Sequence, residues 1–177
     1  MIKKSFIAFV LSFTLLANCQ KKEELPVQTQ MPSGPIQAHN EIQFLQDAVK
    51  HNPNNVLAWI NLGNILMDNS RYIEAIDAYE KALELNPKNV DVRVDMGTCY
   101  RRVGIADRAA EEFREAITID PRHPYAHRNL GVVLAFDLND KSQAIKEFEE
   151  YIRLSPDTPD SSQIRQLISK LKSESVQ

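Results

Sequence analysis

The side chains in this sequence that are best able to do chemistry are its histidines and cysteines, of which the chain has four and two. His123 and His127 are four residues apart, a spacing that on one helix can place both rings over a shared metal ion. His123 precedes a proline and so lies at a turn, and no cysteine or acidic residue recurs at ligand spacing beside the pair. We also find no glycine-rich phosphate loop and no serine, histidine and aspartate arrangement. The sequence therefore predicts no metal, no cofactor and no enzymatic activity.

Cys19 is the residue for which the sequence indicates a covalent modification. Two lysines precede a 12-residue apolar run, 6–17, which is shorter than the roughly 20 residues that a membrane-spanning helix needs. Such a run is typical of a signal peptide. It ends in Leu16-Ala17-Asn18-Cys19, which is similar to the bacterial lipobox, although Asn18 stands where a smaller residue is usual. The alternatives are an ordinary secretory signal and an uncleaved anchor, each with an incidental cysteine.

The lipobox resemblance implies that residues 1–18 are removed as a signal peptide and that Cys19 is acylated. Residues 19–35 are rich in Gln, Glu, Pro and Ser, and we expect them to form a disordered tether near the bilayer. Gln20 is not the aspartate that marks retention in the inner membrane of some Gram-negative bacteria. We therefore expect a protein of the bacterial cell envelope, lipid-anchored at the periplasmic face of the outer membrane. Cys99 then lacks a disulfide partner in the chain, and we expect an inert core thiol.

The composition is that of one modest domain with extensions. The chain has 177 residues, of which 43% are hydrophobic, close to the share in ordinary soluble proteins. Lys and Arg number 21 against 24 Asp and Glu, so the basic excess typical of nucleic-acid binding is missing. No alternating β-branched run indicates a strand. These features predict an all-α protein that does not bind nucleic acid.

A pattern of about 34 residues recurs three times between residues 56 and 156. The third copy has one extra residue in its turn, and the first recurring position loses its aromatic side chain in the second copy. The recurring positions are Trp59, Leu62, Gly63, Leu66, Ala75, Tyr79, Ala82 and Pro87, then Arg93, Met96, Gly97, Tyr100, Ala109, Phe113, Ala116 and Pro121, then His127, Leu130, Gly131, Leu134, Ala144, Phe148, Tyr151 and Pro156.

Each recurring position has a physical reason in a pair of antiparallel helices. Leu62 and Leu66 share one stripe of the first helix, and Gly63 leaves room for the backbone of the second helix. The second helix presents a small–large–small stripe that can interlock with the first, with the ring of Tyr79 filling the gap. Pro87 ends this helix because it cannot donate a backbone hydrogen bond. No copy buries its apolar face alone, so the copies must stack.

This pattern resembles the tetratricopeptide repeat, which implies an α-solenoid of about three helix hairpins with a concave face built mainly from the first helix of each hairpin. A run ending at Pro53 matches a second helix without its partner, so we predict an N-terminal half-repeat; a partner helix supplied by another protein is the alternative. An apolar stripe after Pro159 predicts a C-terminal capping helix. The predicted segments are 36–55 for the half-repeat, 56–89, 90–123 and 124–158 for the three repeats, and 159–177 for the cap.

The family resemblance also implies which side chains line the concave groove. Asn amides there can pair with the backbone of a bound peptide, and apolar neighbours would supply pockets. Only Asn64 matches the family's carboxylate clamp, and an acid at position 95 would repel a carboxylate, so we predict no clamp. The predicted groove consists of Ile60, Asn61, Asn64, Asp95, Thr98, Arg101, Tyr125, Arg128, Asn129 and Val132.

Two interpretations of Arg101 and Arg128 stay open at this point: they meet an acidic side chain of a ligand, or they pair with Asp91 or Asp95 on a solvated face. The predicted function is that of a non-catalytic adaptor, monomeric in isolation, that binds a peptide or helix of a partner protein while its lipid holds it at the membrane. The alternatives are an accessory lipoprotein that assembles pilus, outer-membrane or cell-wall machinery, and a structural module that self-associates.

Overall fold

The computed structural model describes the backbone of residues 35–174 and the side chains of residues 39–174. The predicted signal peptide, Cys19 and residues 19–34 of the predicted tether lie outside the described residues, whereas Pro35, predicted as the last tether residue, is the first residue of helix α1. In the described range the chain forms eight helices and no strand, and none of these helices is long and apolar enough to cross a membrane. The helices are α1 Pro35–His51, α2 Val56–Asp68, α3 Tyr72–Leu85, α4 Val90–Arg102, α5 Ala106–Ile119, α6 Pro124–Phe136, α7 Lys141–Leu154 and α8 Ser161–Glu174.

The first helix of each repeat begins with the same device. In α2 and α4 an asparagine just before the helix accepts a hydrogen bond from a backbone N–H three residues later, at 3.2 Å for Asn55 and 3.1 Å for Asn89. In α6 a histidine ring replaces the amide, and Nδ1 of His123 accepts from the backbone N–H of Ala126 at 3.1 Å. These three residues are spaced 34 apart, so each helix start repeats with the sequence period.

Glycine and an aromatic ring hold each hairpin together. A Cβ added to Gly63, Gly97 or Gly131 would lie 2.4, 2.8 or 2.7 Å from a ring carbon of Tyr79, Phe113 or Phe148, closer than real contacts allow. The three rings and the alanines four residues before them are completely buried. The hairpins α2–α3, α4–α5 and α6–α7 therefore close because glycine lets a ring lie directly on the facing backbone.

Successive hairpins stack mainly where the second helix of one packs on the first helix of the next, α3 on α4 and α5 on α6, and α4 also touches α2 and α6. At the N-terminal end α1 packs on α2 and buries Ile42, Leu45 and Val49. At the other end α8 packs on α7 through Ile164 and Leu171. The predicted class, an all-α solenoid of three hairpins with one extra helix at each end, is confirmed.

Candidate functional site

The ten residues predicted to line a groove lie on α2, α4 and α6, the three first helices that stack side by side. Asn61 and Tyr125 are exposed and the other eight are half-buried. We call the exposed side of these three helices the A-helix face. Three large apolar side chains stand out on it, with Leu57 69%, Tyr125 55% and Phe136 62% exposed.

At the first repeat, Asn64 has a structural role that the sequence did not reveal. Its Oδ1 accepts a hydrogen bond from the hydroxyl of Tyr79 at 2.8 Å. Burial raises the pKa of that hydroxyl, which therefore stays protonated and donates. In the part of the chain that the structure describes, Nδ2 of Asn64 has no acceptor, so its N–H groups are available to a ligand. The signal lay in the repeats: where Tyr79 becomes Phe113 or Phe148, the position of Asn64 holds a threonine or a valine.

Asp95 makes the middle of the A-helix face acidic. It is half-buried and has no hydrogen-bond partner among residues 39–174. Burial, followed by the charges of Asp91 and Asp68, raises its pKa to about 6, against an opposing effect of His123. A carboxylate with so little solvation is a poor neighbour for another anion and a good one for a cation or an N–H donor.

A cavity of about 150 Å³ lies between α4 and α6. Five of the predicted groove residues line it together, and the structure adds Arg102 and Phe113. Asn129 bridges the two helices weakly, since its Nδ2 donates to Oγ1 of Thr98 at 3.4 Å. We call this cavity the arginine pocket; its lining is Thr98, Arg101, Arg102, Phe113, Arg128, Asn129 and Val132.

Both arginines that the sequence left open pair within the chain, but the predicted partners were wrong. Nε of Arg101 donates to Asp137 at the end of α6, and Nε of Arg128 donates to Asp160 before α8, each at 2.5 Å. Asp91 instead accepts from Nε2 of His123 at 3.0 Å. The reason is stacking, which places the end of α4 beside the end of α6 and puts Asp91 beside the start of α6.

Asp160 is held by several groups at once. Burial raises its pKa, but hydrogen bonds from Tyr151, Arg128 and Thr158 outweigh this and lower the pKa to about 2. The Tyr151 hydroxyl donates to Oδ1 at 2.6 Å while Arg128 donates to Oδ2. This carboxylate therefore stays ionised and ties α6, α7 and the start of α8 together.

The first recurring position, which changes from Trp59 to Arg93 and His127, keeps one chemical role in all three repeats. Trp59 Nε1 donates to the carbonyl of Pro53 at 2.8 Å, Arg93 Nη2 to that of Pro87 at 3.1 Å, and His127 Nε2 contacts that of Pro121 at 3.1 Å. Flat side chains with an N–H satisfy the carbonyl left free where the preceding helix ends. Sequence reasoning missed this because it compared hydrophobicity rather than hydrogen-bond donors.

The two side chains at this position that can carry a positive charge each face an acidic side chain. Arg93 Nη1 donates to Glu112 and His127 Nδ1 contacts Glu147, each at 2.7 Å. The equivalent of these acids in the first repeat, beside Trp59, is Ala78. The indole of Trp59 carries no charge and needs no acidic partner, which explains why the facing residue in the first repeat is an alanine.

The two histidines that are four residues apart in the sequence have separate structural roles. His123 caps α6 and faces Asp91, whereas His127 lies between Glu147 and Pro121. Within residues 39–174 no group of three or more His, Cys, Asp or Glu side chains is placed to hold a metal ion. Burial raises the pKa of the Cys99 thiol to about 12, which keeps it protonated and unreactive.

A second cavity, of about 450 Å³, lies between α1 and α3 over an apolar floor that includes Trp59, Leu62 and Leu66. Its rim carries both signs of charge, from Lys50, Lys81, Glu74 and Asp77. In the second repeat the equivalent cavity, of about 350 Å³, is lined mostly by charged side chains instead, among them Arg93, Arg108 and Glu112. There Tyr100 stands at the position of Leu66, its hydroxyl donates to Glu80 at 3.1 Å, and Arg108 lies 5.5 Å from the centre of its ring.

Comparison with known proteins identifies the family. The family model described as "Cytochrome c-type biogenesis protein H TPR domain" matches residues 20–162, about four fifths of the chain. The chain belongs to this family of tetratricopeptide repeat (TPR) proteins. The resemblance stated from the sequence is thereby confirmed.

Curated relatives match this TPR protein over short parts of their length. "RNA polymerase-associated protein CTR9" of Caenorhabditis elegans is 32% identical over 114 residues, 63% of this chain and 10% of the relative. "Peroxisomal targeting signal receptor" of Candida glabrata is 37% identical over 78 residues, 44% of this chain and 13% of the relative. The TPR chain thus spans between about a tenth and a quarter of the length of these curated relatives.

Solved structures share the fold. The crystal structure of MamA superposes with a TM-score of 0.72 at 22% identity, covering 77% of this chain and 80% of that one. The first TPR domain of Spaghetti (RPAP3), bound to the HSP90 peptide SRMEEVD, has a TM-score of 0.63 at 23% identity, covering 67% of this chain and 93% of the other. The same fold therefore includes a member with a peptide bound.

Some relatives are named as enzymes. "Probable UDP-N-acetylglucosamine–peptide N-acetylglucosaminyltransferase SPINDLY" of Hordeum vulgare is 32% identical over 94 residues, which is 10% of that protein. A match to a tenth of an enzyme carries no catalytic residue to this chain. The comparison therefore gives no evidence of catalysis for this chain.

Proposed function

We propose that this TPR protein is a non-catalytic adaptor that binds a segment of another protein along its A-helix face. The observation that carries the proposal is the exposure of Leu57, Tyr125 and Phe136 on that face, beside half-buried polar groups. Exposed apolar side chains rimmed by polar ones mark interaction surfaces when they cluster on one face. The fold comparison supports the proposal, since a TPR domain of the same fold is bound to a peptide.

The mode of binding follows from the groups that remain free. Leu57 and Ile60 offer apolar contact at the first repeat, and Tyr125 offers an aromatic one at the third. On the same helix as Leu57, Nδ2 of Asn64 and the exposed amide of Asn61 can pair with backbone carbonyl groups of the bound segment. Backbone pairing gives affinity without requiring a particular sequence, while the apolar contacts select side chains.

Photo-cross-linking tests the location of this surface. A photoreactive phenylalanine analogue replaces Leu57 or Tyr125 in the full chain, expressed in its host, and the control replaces Ile73 on α3, which is 68% exposed. The proposal expects the same partner to be trapped from both A-helix positions and not from position 73. Trapping at all three positions alike would contradict it.

We further propose that the adaptor is lipid-anchored in a bacterial envelope through Cys19, at the periplasmic face of the outer membrane. The lipobox-like sequence before Cys19 supports this. The test is palmitate labelling with membrane fractionation: Cys19→Ser should abolish labelling and release the protein, whereas Cys99→Ser should change neither. Labelling that persists in Cys19→Ser would refute the anchor.

A second candidate function comes from the name of the family, which refers to cytochrome c-type biogenesis. It is an accessory role in the assembly of c-type cytochromes, with an unfolded cytochrome segment as the bound chain. Such segments carry a C-x-x-C-H haem attachment motif. Deletion of the gene should then reduce haem-stained c-type cytochromes in membranes, and restoration by the wild type but not by a Leu57→Glu, Tyr125→Glu variant would link the role to the A-helix face. Normal haem staining after deletion would exclude this candidate.

A further inference from the structure

The arginine pocket between α4 and α6 collects positive charge and no negative charge in its lining. Three guanidinium groups, those of Arg101, Arg102 and Arg128, share a cavity of about 150 Å³. The remaining lining residues are neutral, and Val132 and Phe113 make part of the wall apolar. An apolar wall with charged donors suits a short aliphatic stem that ends in an anion.

Two of these arginines are held in place by carboxylates that lie outside the lining. Asp137 accepts hydrogen bonds from Nε and Nη2 of Arg101, at 2.5 and 3.5 Å, which leaves Nη1 available as a donor. Asp160 accepts a hydrogen bond from Nε of Arg128, and Oδ1 of Asn129 accepts one from Nη1 at 3.4 Å, which leaves Nη2 available as a donor. Both side chains are about one third exposed, at 34% and 35%. Each guanidinium is therefore oriented by its partner and still has N–H donors for a further acceptor.

Arg102 differs from the other two because no side chain in residues 39–174 pairs with it. It is exposed at the end of α4, directly beside Arg101. Asp137 compensates only Arg101, so a bound anion would also stabilise the adjacent charge of Arg102. The lining thus contains one guanidinium group without a partner among residues 39–174, that of Arg102, and two whose N–H groups are only partly hydrogen-bonded.

We propose that the arginine pocket receives the carboxylate of an Asp or Glu side chain from the protein segment bound on the A-helix face. This inference rests on the proposed function and adds the chemistry of one ligand residue. Donors come from Arg101, Arg102 and Arg128, and fork-shaped guanidinium groups bind carboxylates with defined geometry. The site uses other side chains than the family's carboxylate clamp, of which only Asn64 is matched.

The sign of the charge along α4 makes the site directional. Asp91 and Asp95 lie in its first half and Arg101 and Arg102 at its end, so they are separated by about 9 to 16 Å along the axis at 1.5 Å per residue. A bound segment with an acidic residue in the arginine pocket avoids the Asp95 end. The acidic residue therefore also sets which way the segment lies.

The test uses residues 32–177, which form a compact unit with its own core. Two acetylated, amidated peptides, GALELAG and GALQLAG, differ only in one carboxylate, and inorganic phosphate is a third probe. Binding is followed by NMR through backbone amides and through the Nε–H signals of arginine. We expect the Glu peptide to shift the signals of Arg101, Arg102 and Arg128 and to bind about tenfold more tightly than the Gln peptide.

Matched variants separate the outcomes. Arg102→Gln should remove most of the preference for Glu, while Arg122→Gln, which removes an exposed arginine from the turn before α6, should leave it unchanged. Equal binding of the two peptides overturns this inference and leaves the proposed function standing. Shifts caused by phosphate but by neither peptide overturn the side-chain site, since the pocket then holds only small oxyanions. Failure of both peptides to shift any A-helix amide counts against both proposals.

Discussion

The pairing of Arg93 with Glu112 provides the sharpest test of how the repeats are built, because the first repeat solves the same problem with Trp59 and Ala78. Glu112→Ala leaves the Arg93 guanidinium without its partner at 2.7 Å, in a site where the two side chains are only 17% and 9% exposed. Removing one member of a buried pair costs about 3–5 kcal/mol. Arg93 keeps the carbonyl of Pro87 and some solvent, so we expect a loss of about 2 kcal/mol in the free energy of unfolding.

Arg93→Trp alone should cost about as much, because it leaves the Glu112 carboxylate buried with only a long contact to Arg108, at 3.7 Å. The double variant Arg93→Trp, Glu112→Ala recreates the arrangement of the first repeat and should lie within about 1 kcal/mol of wild type. The expected coupling energy is therefore about 3 kcal/mol in favour of the double variant.

Urea unfolding of residues 32–177 at pH 7, followed by circular dichroism, measures all four free energies. A control pair, Lys81 and Glu84, is 52% and 61% exposed, and removing either should cost less than about 0.5 kcal/mol. Additive losses in the double variant would refute the conclusion that the donor and its facing residue are exchanged as a unit between repeats.

Three further predictions concern the core and the titrating groups. Gly97→Ala places a Cβ 2.8 Å from the ring of Phe113 and should cost about 1–3 kcal/mol in urea unfolding, part of which Phe113→Leu recovers. Burial lowers the pKa of His127, but hydrogen bonds to Glu147 and Pro121 outweigh this and raise the pKa. The stability that the protonated ring contributes is therefore present below pH 6.5 and is lost as pH rises through the pKa of the folded state. His127→Gln should flatten the dependence of the thermal unfolding midpoint on pH in this range. Burial and neighbouring acids raise the pKa of Asp95 to about 6, so the stability of the fold should fall as pH rises from about 4 to about 6. Asp95→Asn should remove this fall and add about 1 kcal/mol to the free energy of unfolding at pH 7, after allowance for solvent screening. A pH profile unchanged by these substitutions would show that the carboxylate and the imidazole are not desolvated as the structure indicates.

The repeat array was predictable because its determinants are local and recur. The glycine and the ring stand 16 residues apart in the first two repeats, and proline ends each hairpin, so one hairpin explains the others. The groove positions on the first helices came from the family resemblance rather than from periodicity, and they stay a prediction. The role of Asn64 did not follow, because it depends on the hydroxyl of Tyr79 reaching past Gly63 to the other side of the hairpin.

Spacings within one repeat were enough to predict the helices and their pairing into hairpins. The acids that hold Arg101 and Arg128 could not be predicted in this way, because Asp137 and Asp160 lie 36 and 32 residues away and meet them only when the hairpins stack. The shared role of Trp59, Arg93 and His127 is local, since each satisfies a carbonyl group only six residues earlier, and a comparison by hydrophobicity alone does not show it. Spacing within a repeat follows from helix geometry. Contact between repeats depends on the angle at which hairpins pack, and the side-chain volumes across the whole interface set that angle.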